Sequence, residues 1–247
     1  MRLTVVGCGD AFGSGGRLQT CYHVEAAGTR FLIDCGASTL IGFHRLELDP
    51  NAVPTIFISH LHGDHYAGLV WWLLHAKHIG KRTTPLAIVG PPGVEARLRA
   101  ASEALFPGSL QTKPRHELHF VELTRETRLS VGPVAVTPFE VSHPSGAPSY
   151  ALRFEAEGKV LSFTGDSQWV ESLVPAGQAA DLYIMECYQF EGEPRYHMSW
   201  TKIAAEIDRI GPKRVMLTHM GKPMLARRGE VSDQRVVLAE DGLVLDV

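Results

Sequence analysis

The 247-residue sequence lacks any apolar run near the roughly 20 residues that span a bilayer, since Val70–Leu74 is interrupted at His75 and Lys77. A secretory signal is missing from its start. Met1-Arg2-Leu3-Thr4-Val5-Val6-Gly7 carries one basic residue and then a very short apolar stretch better suited to a strand. A cytoplasmic protein with no membrane partner is the expectation. Cysteine is scarce: Cys8, Cys21, Cys35 and Cys187 are far apart and form no CxxC pair. That argues against a zinc knuckle and a disulfide framework and leaves four small buried thiols. Charge of one sign is lacking too, with a net charge of -3 at pH 7. Short basic clusters occur at Lys81-Arg82, Lys113–Arg115 and Arg227-Arg228, runs too short for a nucleic-acid footprint and read as solvated surface. With no linker, low-complexity segment or repeat, a single domain over residues 1–247 is expected.

What the chain does have is an alternation of β-branched runs with longer amphipathic ones, with glycine or proline at most junctions. Leu3–Val6, Cys21–Ala26, Arg30–Ile33, Thr55–Ser59 and Pro85–Val89 read as strands, with Ala27-Gly28-Thr29 turning the second hairpin. Further strands are expected at Val134–Val141, Tyr150–Phe154, Val160–Thr164, Leu182–Met185, Arg214–Thr218 and Leu243–Val247, the last after a tight turn at Ala239-Glu240-Asp241-Gly242. Helices are expected at Tyr66–His78, Val94–Leu105 and Thr201–Ile210, with Ser199 the candidate cap of the last. The fold class is therefore α/β. Histidine is the outlier of the composition, at twelve residues. His60, His143, Asp166 and His219 each follow an apolar run, and ligand sites of α/β sheets gather at the carboxyl ends of strands. Four such positions at one sheet edge would build a site.

The densest signal is Ser59-His60-Leu61-His62-Gly63-Asp64-His65. An extended backbone points His60 and His62 to the same side, Gly63 permits a sharp turn, and Asp64 and His65 can then face the site from the helix start. One such histidine would be unremarkable in a core. Three imidazoles and a carboxylate within six residues would crowd titratable groups for no structural gain, and they suit zinc or a similar borderline metal.

The HxHxDH pattern of His60–His65 resembles the signature of the metallo-β-lactamase superfamily, and the likeness continues through Val141-Ser142-His143-Pro144, Thr164-Gly165-Asp166-Ser167 and Leu217-Thr218-His219-Met220-Gly221. The resemblance implies a four-layer αββα sandwich and two divalent metal ions, zinc first and manganese second. By it, His60, His62 and His143 hold one ion, Asp64, His65 and His219 the other, and Asp166 bridges them. Two ions about 3.5–4 Å apart share a water and lower its pKa toward about 7, so a metal-bound hydroxide is available at neutral pH. No nucleophilic side chain is needed, and Cys35 is left a packing role.

Within the superfamily, Leu182–Tyr188 and Tyr196-His197-Met198-Ser199 look like the ribonuclease Z-like group of phosphodiesterases. Glu186 matches the glutamate of that group's His-Glu-Ala-Thr stretch, and His197 the histidine that helps the leaving group. Asp64, His197 and Glu186 are thus the candidate catalytic residues. Met185, Cys187 and Tyr188 depart from the stretch, and only a short connection separates His143 from Asp166. The tRNA 3′-processing enzymes of the group usually carry a protruding arm there. A small phosphodiester, such as a cyclic nucleotide or a cyclic ribose phosphate, is the expected substrate, with nucleic acid less favoured and a homodimer the assembly the resemblance allows. Gly13-Ser14-Gly15-Gly16 offers none of the N-terminal cysteine-rich zinc site seen in related cyclic-phosphate enzymes. The Gly7–Gly16 loop offers N–H groups to a phosphate but departs from GxGxxG, so no nucleotide cofactor is expected there. Ester or lactone hydrolysis at the same metals is the competing enzyme class, with Lys222 its candidate carboxylate anchor. Trp71-Trp72 is read as core.

Overall fold

A computed structural model describes residues 1–111 and 115–247; Lys113 of the second basic cluster lies outside the described residues. The first half builds a mixed sheet from β1 (Arg2–Gly7), β2 (Cys21–Ala26), β3 (Thr29–Ile33), β4 (Thr55–Phe57), β5 (Leu86–Gly90) and β6 (Leu118–Glu122). Its first three strands form an antiparallel meander and its next three join in parallel. The second half repeats the plan. β7 (Leu129–Val131), β8 (Val134–Val141), β9 (Ser149–Ala156) and β10 (Lys159–Phe163) are antiparallel, then β11 (Leu182–Glu186), β12 (Val215–Thr218) and β13 (Val236–Leu238) are parallel. β14 (Val244–Asp246) crosses back to pair with β1.

Parallel neighbours need crossovers, and these carry the helices. α1 (Thr39–Arg45), α2 (Gly63–Tyr66), α3 (Gly68–His78) and α4 (Val94–Leu105) cover the first sheet; α5 (Leu173–Gly177), α6 (Trp200–Ile210) and α7 (Lys222–Arg227) cover the second. The strand period of two sorts side chains between layers. In β3, Phe31 and Ile33 face the opposite sheet while Leu32 faces the helices; in β11, Leu182 and Ile184 face inward and Tyr183 and Met185 outward. On α6, Ile203, Ile207 and Ile210 recur at helical spacing and are buried. The αββα sandwich is as expected. So is the hairpin turn between β2 and β3, where Ala27 and Gly28 have φ of 50° and 74°, the pair of positive values a two-residue turn requires, with Thr29 already in β3. All four cysteines are free and buried.

Phe154 lies between the sheets, its ring 5.2 Å from that of Phe31 and 5.0 Å from that of Phe57. Phe154→Ala removes this inner-face anchor and is expected to destabilise the protein by about 3–5 kcal/mol, read from denaturant unfolding. A loss under about 1 kcal/mol would mean that the two sheets close up over the gap.

Several local expectations need correction. The helix expected from Tyr66 begins at Gly63, as α2, and passes through Ala67 into α3. Gly63 is helical and does not have positive φ, so the chain turns at the extended His62 instead. Ser199 occupies the N-cap position, but its hydroxyl donates to the Gly192 carbonyl at 2.7 Å and does not cap α6. Arg82 is buried, donating to the carbonyls of Thr84, Pro50 and Pro85, where a solvated surface was expected. Trp72 is buried against Phe43, as a core reading requires.

Candidate metal centre

The carboxyl ends of strands from both sheets meet at one edge of the sandwich, where the sequence suggested the edge of a single sheet. β4 leads to His60 and the His62–His65 turn, β8 to His143, β10 to Asp166, β11 ends on Glu186 and β12 leads to His219. Glycine makes the convergence sterically feasible. Gly68 lies so close to the loop after β3 that a Cβ on it would sit 2.1 Å from the Gly36 carbonyl oxygen. Gly165, at φ 59°, precedes Asp166 where a Cβ would meet the Tyr150 oxygen at 2.8 Å.

All seven expected ligands come together in two groups. The Nε2 of His143 is 2.9 Å from Nδ1 of His62, and the His60 ring stacks edge-on to both at centroid distances of 4.9 and 5.1 Å. In the second group, Asp64 Oδ2 lies 3.3 Å from His65 Nε2 and 3.2 Å from His219 Nε2. Asp166 Oδ2 stands between the groups, 3.3 and 3.2 Å from His65 and His219 and 3.9 Å from both His60 and His143.

These residues fit a pair of cations on chemical grounds. His60 Nε2, His65 Nε2 and Asp166 Oδ1 are buried with no hydrogen-bond partner among the described residues, and a buried polar atom left unpaired is costly. The other ring nitrogens are already engaged. His143 Nδ1 donates to the Tyr196 carbonyl at 2.9 Å, and His65 Nδ1 to Asp34 Oδ2 at 2.6 Å, which turns an Nε2 lone pair of each ring toward the centre. Electrostatics agree. Burial pushes His60 well below the usual imidazole range and His143 down to about 4, so both offer lone pairs. Burial opposes charge on His65 and His219 as well, but Asp166 and Asp64 outweigh it, holding His65 well above the usual range and His219 at about 9. The second group therefore draws positive charge.

Asp34 and Tyr196 are structural partners that sequence reading passed over. Asp34 is wholly buried at the end of β3, where its two oxygens accept the Ser59 N–H and hydroxyl, each at 2.7 Å, besides the His65 bond. It follows an apolar run just as Asp166 does, so the same rule would have flagged it. Tyr196 acts through its backbone, which has no sequence signature. Asp34, Tyr196 and His219 have φ of 60°, 67° and 55°, a left-handed conformation that costs on the order of 1–2 kcal/mol per non-glycine residue. The surrounding hydrogen bonds hold that strain in place at the site.

Glu186 and His197 form a second tier. Glu186 Oε1 accepts from His197 Nδ1 at 3.1 Å and from the Ser167 and Met198 N–H groups, so it orients the ring as well as ending its strand. His197 is sandwiched between Tyr188 at 4.9 Å and His219 at 5.5 Å, leaving Nε2 as its free nitrogen. Burial would lower its pKa, but the Glu186 carboxylate outweighs that and raises it.

Above the ligands lies a cavity of about 310 Å³ walled by Asp10, Phe12, Tyr188, Tyr196 and His197, with no lysine or arginine among its described lining residues. Lys222 is exposed at the start of α7 and does not line it, which removes the anchor that an ester or lactone reading called for. The cavity's front loop is clamped by the C-terminal turn. Asp241 accepts the Cys8 and Leu18 N–H groups at 3.1 and 2.8 Å, and Glu240 pairs with Arg17. Asp241→Ala is expected to lower unfolding stability by about 2 kcal/mol, because two backbone donors lose a charged acceptor. An unchanged denaturation midpoint would show that water replaces the clamp.

Comparison with known proteins agrees with the geometry. The family model described as "Anti-Pycsar protein Apyc1" matches residues 1–242. Ribonuclease Z of Ignicoccus hospitalis is 22% identical, over 96% of this chain and 93% of that one. The metallo-β-lactamase fold protein YhfI from Bacillus subtilis superposes with a TM-score of 0.81 at 23% identity, covering 99% and 98% of the two chains. The short form of human tRNase Z does so with a TM-score of 0.82 at 24% identity, covering 100% and 99%. No helix among the described residues is long and apolar enough to cross a membrane.

Proposed function

Because the chain belongs to the Anti-Pycsar protein Apyc1 family and is a metal-dependent hydrolase of the metallo-β-lactamase fold, we propose that it hydrolyses small phosphodiesters, cyclic ones above all. The observation that carries this reading is the oriented His197 beside a complete ligand set. A diester's departing alkoxide needs a proton, and Nε2 of a ring fixed by Glu186 can deliver one. His60, His62 and His143 would hold one divalent cation and Asp64, His65 and His219 a second, with Asp166 shared; the nitrogen and carboxylate donors favour zinc, with manganese the alternative. Bound there, such ions supply an activated water and neutralise charge that develops on the phosphoryl oxygens.

The residues divide the remaining work. Asp34 and the Tyr196 carbonyl fix the imidazole rings, and Asp64 and Asp166 place negative charge opposite the cations. As the water oxygen bonds to phosphorus and its proton passes to solvent, the P–O bond to the leaving oxygen breaks; that oxygen takes the proton from His197, which solvent then restores. Between His143 and Asp166 the chain is the β9–β10 hairpin with a two-residue turn at Glu157-Gly158 and no protruding arm, which supports a small substrate. Cleavage at tRNA 3′ ends is the second reading, favoured by the ribonuclease Z name of the relative above. Bis(p-nitrophenyl) phosphate and nucleoside cyclic monophosphates are expected to be cleaved, a chelator to abolish the activity, and zinc or manganese to restore it. Precursor tRNA cut faster than any small diester would overturn the reading, as would chelator-resistant hydrolysis.

A further inference from the structure

A cavity of about 660 Å³ opens between helices α3 and α4 and the edge strand β6, and it shares no described lining residue with the cavity over the ligands. Its volume falls in the range of small-ligand sites, about 300–1,000 Å³. Leu73 and Leu74 of α3, Leu110, and Leu118 and Phe120 of β6 give it an apolar floor. His116 stands in the same wall. It is 5% exposed, and neither of its ring nitrogens makes a hydrogen bond among the described residues. Two buried polar atoms without partners are costly to a fold, and nothing in the packing of the floor requires them. Burial and the nearby Arg82 guanidinium hold the imidazole below its ordinary range, against a smaller opposing pull from the Arg82 carbonyl. The ring is therefore neutral at neutral pH and carries one N–H donor. The charges around the cavity are unevenly matched. Arg99 is paired with Glu95 at 2.8 Å, and Glu117 is 76% exposed beside His119. Lys77 donates to the Ser109 carbonyl at 3.1 Å but has no carboxylate within ion-pair distance among the described residues.

We infer that this cavity is a second ligand site, separate from the metal centre, and that it takes a small carboxylate with an aliphatic or aromatic body. The apolar floor removes the body from water, as small-molecule sites do with a few convergent polar groups to fix orientation. The carboxylate accepts from the Lys77 ammonium, which has donors beyond the one given to Ser109, and from the N–H of His116. Other guests match the cavity less well. A cation would face Lys77 with no anion to spare, since Glu95 already holds Arg99. A phosphate ester would bring a second negative charge to a wall that also contains Glu95 and Glu117. A neutral hydrocarbon would leave the nitrogens of His116 as unpartnered as before. The site stands or falls independently of the phosphodiesterase reading, because none of its residues belongs to the hydrolytic centre.

The test is calorimetric binding of octanoate to the zinc-loaded full chain, with acetate as the carboxylate lacking a body and octylammonium as the chain of opposite charge. Octanoate is expected to bind at one equivalent, about 100-fold or more tighter than acetate, because several methylenes leave water. Octylammonium should bind at least about 10-fold more weakly than octanoate. Lys77→Gln should weaken octanoate affinity about 10- to 100-fold, the usual loss of a hydrogen bond to a charged group. That variant also separates this site from the metals, for a carboxylate seated on zinc would be indifferent to Lys77. His116→Leu should weaken octanoate about 5- to 10-fold while the denaturation midpoint of the free protein stays level or rises, since the imidazole makes no bond there to lose. A lowered midpoint would mark His116 as a structural group and overturn the inference. So would octanoate affinity that survives both substitutions, octylammonium bound as tightly, or no octanoate binding at all.

Discussion

Asp166→Ala is expected to cost at least about 10³-fold in kcat/KM, about 4 kcal/mol of transition-state stabilisation, and to lower metal content. The reason is positional. Among the described residues its Oδ2 is the one carboxylate oxygen within 4 Å of imidazole nitrogens from both groups, so its removal should uncouple the two sites. Elemental analysis of the purified variant should find substoichiometric metal relative to wild type, with the deficit larger in the second group, whose positive charge Asp166 offsets. The metal-free form tells a different story. There the carboxylate is held in its charged form because the surrounding imidazoles outweigh its burial, so the variant leaves buried positive charge unpaired and should unfold at lower denaturant. Full metal content together with near-normal turnover would show that Asp166 is not a shared ligand.

His197→Ala should act on chemistry and spare metal binding. Loss of a general acid typically costs about 10²–10⁴-fold, and the size depends on how badly the leaving group needs a proton. Cyclic nucleotide hydrolysis, which expels an alkoxide, should fall through that range in kcat with KM little changed. Bis(p-nitrophenyl) phosphate expels a stable phenolate and should fall by less than about 10-fold. That split separates proton donation from mere support of the fold, for a structural defect would depress both substrates alike. Equal losses on the two substrates would sink the assignment.

The cluster of candidate ligands could be read from sequence because coordination permits few residue types, and the fold gathers these residues after apolar strands at an edge. His60-Leu61-His62-Gly63-Asp64-His65 needed only local geometry. What escaped was either carried by backbone or set by contacts distant in sequence. The Tyr196 carbonyl that orients His143 would be there whatever residue stood at 196. Gly63 would permit a sharp turn, yet the chain turns at His62 and the glycine joins a helix. β6, β7 and β13 are short, partly exposed strands with little alternation to mark them, and α1, α5 and α7 are helices of five to seven residues whose apolar faces are too brief to show a period. Ser199 sits where a cap belongs, but the Gly192 carbonyl, brought close only in the folded chain, takes its hydroxyl.

The clamp of Asp241 on Cys8 joins residues 233 positions apart, and the front wall of the metal cavity depends on it. During synthesis the first loop emerges long before its partner, which follows it by 233 residues. A nascent chain can build the first sheet and its helices early, but it cannot close the wall until β14 docks beside β1. Closure of the front therefore waits for the late-made turn, and a ribosome stalled anywhere before residue 241 carries a cavity with an unlatched wall.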